Sequence, residues 1–463
     1  MDINYTFFGD NVCRPGRTVY ESGENPLLDC LKCEGEDGVY KLRAVLRSET
    51  SLEQSFYGYS FLGAACCIGR CDIVEVIVDH LKQRQNVGGL KDSIRRRSLL
   101  DDHDINGYTP LLYAVCGGHF DICRLLIEEG ADPNLPHQMS RQTPLLMAIE
   151  HSQDEMVTYL LENNADVQIS DNVGITPLYT AINCRNERVV RLLISAECDV
   201  DIGSQDHTPI FLATRTGQLN IVKMLCDAGC RKNVSNKYGV TPVYEAALKG
   251  HEAVLEYLLE VECSPNIVDM YDQSPLHVAV MSGHLTCVKL LMEAGANWKL
   301  RNHNRESAFD LALQMGKSEI VQYFLEEGFD VLPKTSTPSG LKNIVAVFEQ
   351  GHTATLSVLI KGCAKLPMLH CIGMLPMFRN QSHLMKLLLH SGIQTVPAIL
   401  MAAETHQCKE TADWLKEFKN NPRRLQDICR IRIRRTLGNK VLFGVKQLPL
   451  PVDMKNFITL DRL

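Results

Sequence analysis

A chain of 463 residues is too long for one compact core and calls for several domains or a repeat array. Its 45% hydrophobic and 22% charged content is that of a folded chain, and with only 6% aromatics the core must rest on Leu, Ile, Val and Ala. A net charge of −7 argues against a general nucleic-acid binder, and the lack of an apolar run of about 18 residues argues against a membrane span.

The opening residues, Met1-Asp2-Ile3-Asn4-Tyr5, do not have the pattern of a signal peptide. The 18 cysteines are therefore expected to be small buried hydrophobes of a reducing compartment, in the cytoplasm or nucleus. Pro26-Leu27-Leu28, followed by Leu42, Val45 and Leu46, reads as a degenerate helix pair. Phe61 to Ala65 with Ile73 to Ile77 reads as a second. Residues 83–102, with Arg95-Arg96-Arg97, predict an exposed insertion loop.

A fixed grammar then sets in. Thr-Pro or a related pair recurs at Thr109-Pro110, Thr143-Pro144, Thr176-Pro177, Thr208-Pro209, Thr241-Pro242, Ser274-Pro275 and Ser307-Ala308, every 32 to 34 residues. Thr or Ser can cap a helix by accepting from an orphan backbone N–H, and Pro fits the first helical position, where no N–H is needed. In the first unit a short helix runs to Gly117-Gly118. A second follows with Ile122, Leu125 and Leu126 on one face, ended by Gly130. Period, caps and turns together resemble the ankyrin repeat, and Ser274-Pro275-Leu276-His277 comes closest to its signature. Weaker pairs continue at residues 341–349 with 354–361, 368–377 with 383–390, and 397–404 with 409–419.

After Asn420-Asn421-Pro422 the grammar changes. Leu425, Cys429, Ile433 and Leu437 recur at every fourth residue and form one helical stripe, with Ile428 beside it. Val445-Lys446-Gln447-Leu448-Pro449-Leu450-Pro451 follows and is expected to be extended, because its alternating prolines stiffen it. Residues 452–458 read as a short apolar helix containing Met454, Phe457 and Ile458.

This pair of elements resembles the SOCS box, and the chain as a whole resembles the ankyrin-repeat and SOCS-box family. The resemblance implies an all-α ankyrin solenoid of about a dozen helix pairs closed by a small helical box. It divides the chain into degenerate repeats at 1–102, regular repeats at 103–332, ankyrin-like pairs at 333–419 and the box at 420–463. Within the box it places an elongin-binding helix at 423–438 and a cullin box at 445–458. Leu425, Ile428, Cys429 and Ile433 would meet elongin C. Val445, Leu448, Pro449, Leu450, Pro451 and Phe457 would meet cullin-5, whose form Leu-Pro-Leu-Pro matches. Arg424 stands where the family usually has Ser, Thr or Pro.

Other motifs are expected to be structural. Cys30-Leu31-Lys32-Cys33 has no second ligand pair at zinc spacing. His119, His251 and His284 share one turn position and His277 belongs to the repeat motif. Gly316-Lys317-Ser318 resembles the tail of a phosphate loop, but Leu311 stands where that loop needs Gly. Arg423, Arg424, Arg430, Arg432, Arg434 and Arg435 are expected on a solvated face opposite the apolar stripe. No catalytic residues, metal or cofactor are expected. A target protein would meet turn tips and first helices at Tyr108, Arg215, Lys237, Tyr238, Met270 and Tyr271. The resemblance implies elongin B, elongin C, cullin-5 and a RING-box protein as partners. A cullin-2 receptor and a plain ankyrin scaffold are the alternatives.

Overall fold

Each repeat begins where the Thr-Pro grammar places it. In the computed structural model Thr109, Thr143, Thr176 and Thr241 all adopt extended backbone and accept at the side chain from the N–H three residues on. Ser274 and Ser307 go further and form capping boxes with His277 and Asp310. Thr208 makes no such cap bond.

The structure describes residues 27, 30–31, 33, 36–47, 55–56, 59–88, 99–204, 207–328, 347, 350–362, 430, 433–434, 441–447 and 452–459. They divide between two compact units, Met1–Asn236 and Lys237–Leu463. The first contains α1 (Glu36–Arg47), a two-residue hairpin of β1 (Ser55–Phe56) and β2 (Tyr59–Ser60), then α2 (Phe61–Ile68) and α3 (Cys71–Gly88). Four regular pairs follow: α4 (Pro110–Cys116) with α5 (Phe120–Glu128), α6 (Pro144–Glu150) with α7 (Asp154–Glu162), α8 (Pro177–Asn183) with α9 (Glu187–Ser195), and α10 (Pro209–Arg215) with α11 (Leu219–Asp227). The second unit continues with α12 (Pro242–Lys249) and α13 (Glu252–Glu260), α14 (Pro275–Ser282) and α15 (Leu285–Glu293), α16 (Ala308–Gln314) and α17 (Ser318–Glu326), then α18 (Thr353–Gly362). The box supplies α19 (Val441–Gln447) and α20 (Val452–Thr459).

Each first helix is buried nearly throughout. In α4 every residue from Pro110 to Val115 is enclosed. The second helices bury one stripe, which in α5 is Ile122, Cys123 and Leu126, with Leu125 half-buried at its edge. Within each unit the first helices stack on one another and each second helix covers its own partner. The turn between the helices of a pair is close-packed. Gly250 has φ +73, and a Cβ there would lie 2.6 Å from the ring of His284 in the next repeat.

Two expectations need correction. The loop expected from residue 83 is helical up to Gly88, because the apolar stripe of Ile73, Val74, Ile77 and Leu81 carries α3 onward, and Leu99 and Leu100 within it are helical too. The stretch expected to be extended from Val445 is helical as far as Gln447, where Val441 and Val445 share a buried face. The pairs expected within 363–419 lie outside the described residues; residues 354–361 fall in α18, and of 341–349 only Val347 is described.

The SOCS-box seam and the hairpin tips

The box has a core of its own. Val441, Val445 and Ile458 are buried together and Ile433 packs against them half-buried. Val445, expected to meet cullin-5, is only 2% exposed and is a core residue of the box, a correction to that expectation, whereas Ile433, expected to meet elongin C, turns one side inward and stays partly exposed. The remaining elongin positions, Leu425, Ile428 and Cys429, lie outside the described residues, as do Leu448, Pro449, Leu450, Pro451 and the side chain of Phe457.

Two of the six arginines overturn the expectation of a solvated face; Arg423, Arg424, Arg432 and Arg435 lie outside the described residues. Arg430 and Arg434 are both buried. Arg434 donates to the carbonyls of Ile360 and Lys361 at the end of α18, and to that of Ile458 in α20. The last carbonyls of a helix lack intrahelical partners, and a guanidinium can serve several of them at once. This is the residue that sequence reasoning missed. The available signal was the i, i+4 pairing of Arg430 and Arg434, each one step beyond a residue of the apolar stripe.

Turn tips project from the repeats of the second unit. Tyr238, Met270 and Tyr271 are 50%, 59% and 56% exposed, and Lys237 lies over the Tyr238 ring at 5.2 Å. The tips are tied in sequence. Met270 N–H donates to the Tyr238 carbonyl at 2.9 Å and His303 N–H to that of Tyr271 at 3.0 Å. Asp269 holds the Tyr271 loop by accepting from the Tyr271 and Gln273 N–H groups, each at 2.8 Å, and from the buried Tyr244 hydroxyl at 2.9 Å. In the first unit Arg215 is half-exposed at the end of α10. Tyr108 departs from expectation. It is only 7% exposed, because its ring stacks on Tyr113 at 4.7 Å and lies against His137 at 4.3 Å. Tyr113 is fixed in turn by donating to Asp104 at 2.7 Å.

His277 is a bolt between repeats. Its Nδ1 accepts from the Ser274 N–H at 3.1 Å, and its Nε2–H donates to the Glu306 carbonyl of the next repeat at 3.2 Å. This requires the neutral ring protonated at Nε2. Burial, the largest effect, holds its pKa below the ordinary histidine range against the opposing pull of the Glu306 carbonyl. In the unfolded chain the ring takes up its proton at about pH 6.5, while the folded ring resists it, so the stability is full above that value and is lost as pH falls from there through the lower folded pKa. Urea midpoints measured at about pH 7.5 and about pH 5.5 should drop for the wild type on acidification, and drop less for His277→Gln.

The described cysteines form no disulfide, and burial pushes the thiols of Cys198 and Cys287 up to about 11. Thiols held protonated in this way are poor nucleophiles and poor metal ligands at neutral pH. Among the described residues no group of three or more His, Cys, Asp or Glu side chains is placed to hold a metal, and no helix is long and apolar enough to cross a membrane.

Stacked helix pairs with capped first helices and linked tips define a repeat-array protein. The ankyrin-repeat family model matches in overlapping segments between residues 18 and 335, and the SOCS-box model matches residues 421–459. The chain belongs to the ankyrin-repeat proteins that carry a SOCS box. It is 34% identical over 121 residues to an ankyrin repeat and KH domain-containing protein of Caenorhabditis briggsae, a match covering 26% of this chain and 5% of that one. It is 31% identical over 150 residues to the neurogenic locus notch homolog protein 1 of Xenopus tropicalis, covering 29% of this chain and 6% of that one. The chain thus spans only a small part of these relatives. Among solved structures, the human ASB11 ankyrin repeat domain matches with a TM-score of 0.41 and 27% identity, over 44% of this chain and 92% of that domain. The ankyrin repeat domain of Bcl-3 matches with a TM-score of 0.43 and 23% identity, over 50% of this chain and 97% of that domain.

Proposed function

We propose that this chain is the substrate-recognition subunit of an elongin B–elongin C–cullin-5 ubiquitin ligase. The observation that carries the reading is a SOCS box at 421–459 behind ankyrin repeats at 18–335. Leu425, Ile428 and Cys429, with the outward side of Ile433, are the proposed elongin C contacts. Leu448-Pro449-Leu450-Pro451 has the form associated with cullin-5 and supports that cullin over cullin-2. The exposed tips Lys237, Tyr238, Met270 and Tyr271, and Arg215 in the first unit, are the proposed target contacts, since Tyr and Arg make effective interface anchors.

The mechanism is positioning. The repeats hold a target, the box holds the cullin complex, and a RING-box subunit brings a charged conjugating enzyme to a target lysine. The gain is effective concentration and orientation, and this chain performs no bond-making step.

The test is co-purification of the full chain with elongin B–elongin C and cullin-5. Leu425→Ala/Cys429→Ala should lose both partners. Pro449→Ala/Pro451→Ala should lose the cullin and keep elongin. Capture of cullin-2 in place of cullin-5 would move the assignment to that complex. A wild type that captures neither would leave an ankyrin scaffold.

A further inference from the structure

The seam between box and array is fastened at three points. Arg434 is 0% exposed and ties α18 to α20 through the carbonyls of Ile360, Lys361 and Ile458. The negative end of the α18 dipole lies at the same place and favours a cation there. Phe443 of α19 covers Gly328, the turn residue after α17, where φ is +73 and a Cβ would clash with the Phe443 ring. Lys446 pairs with Glu327 at 3.7 Å on the rim, a contact exposed enough to contribute little. α19 packs on both α17 and α18, so the box rests on two helices of the array.

We infer that this seam holds the box in one orientation on the 237–362 repeats, and that Arg434 is a positioning residue of the assembly. A box on a loose tether would sweep its elongin-binding helix through many directions. A box clamped at Arg434 presents that helix in one direction relative to the tips at Tyr238 and Tyr271, so the attached ligase reaches a restricted set of lysines. The consequence for ubiquitin transfer rests on the ligase reading, whereas the fixed seam stands without it.

Spin labels on unnatural side chains at Val452 and Glu319, both exposed, report the box-to-array distance in the full chain. The wild type should give one narrow distance distribution. Arg434→Ala should broaden it, Arg434→Lys should broaden it less, and both should keep elongin B–elongin C capture. In the reconstituted complex the pattern of self-modified lysines, mapped by peptide mass spectrometry, should spread in Arg434→Ala. A narrow distribution and an unchanged lysine pattern in that variant would overturn the inference. If Arg434→Ala unfolds the box, losing helical signal and elongin capture together, Phe443→Ala decides, and a narrow distribution there overturns it. A wild type that captures no elongin yet broadens on Arg434→Ala keeps the seam and removes the ligase reading.

Discussion

Phe309→Ala is expected to cost about 3–5 kcal/mol, concentrated in the repeat that carries it. Phe309 lies inside α16, 2% exposed, with its ring edge-on to Phe324 of α17 at 5.9 Å between centroids. The pair joins the two helices of one repeat, so truncation opens a cavity at the centre of that unit. The neighbouring first helices are rigid layers with little freedom to collapse into the space, which puts the cost at the upper end of the range. Stability in an array is a sum of repeat and nearest-neighbour terms, so the loss should appear as early unfolding of a segment around 308–326, with the rest following later. Hydrogen exchange resolved along the chain measures this. A single transition shifted uniformly across both units would show that Phe309 does not act locally.

Gly328→Val is expected to cost about 3 kcal/mol, part from backbone strain and part from displacing Phe443. The molecule supplies a control. Gly295 adopts a similar backbone, φ +81, but a Cβ there would have no atom within 4 Å. Gly295→Val should therefore cost only the strain, about 1–2 kcal/mol. The excess at Gly328 measures how firmly the box is seated. Denaturant midpoints of the two variants provide the comparison, and equal losses would mean that Phe443 does not hold the box against the array.

The repeats could be read from the sequence because each one states its own boundaries. Thr109 and its equivalents mark the starts and Gly130 and its equivalents mark the ends, and both signals arise from local backbone chemistry that tertiary packing does not override. The aspartate that holds the Tyr271 loop follows a similar local rule. What stayed hidden depended on partners distant in sequence. Arg434 carries a charge, and a charged side chain is almost always at the surface unless paired. Its partners are the carbonyls of Ile360 and Lys361, more than 70 residues earlier, and nothing in the local pattern announces them. The burial of Tyr108 is hidden in part for the same reason, since it comes from His137 in the following repeat as well as from Tyr113 in its own. The helix through Val445 is concealed by the prolines at 449 and 451, which favour an extended chain, although Val441 and Val445 match at i, i+4.

The bonds between repeats also bear on how the chain is made. Asp166 N–H donates to Asn134, Arg231 N–H to Asp201, and Asn297 N–H to Asn266, at 2.7, 2.9 and 2.7 Å. In each case the acceptor lies about one repeat earlier in the chain. A repeat leaving the ribosome therefore meets a template already synthesised, while its forward bonds, such as that of His277 to the Glu306 carbonyl, close when the next repeat emerges. Such a protein can consolidate step by step during translation, with only its newest repeat exposing an uncovered apolar face to chaperones or aggregation.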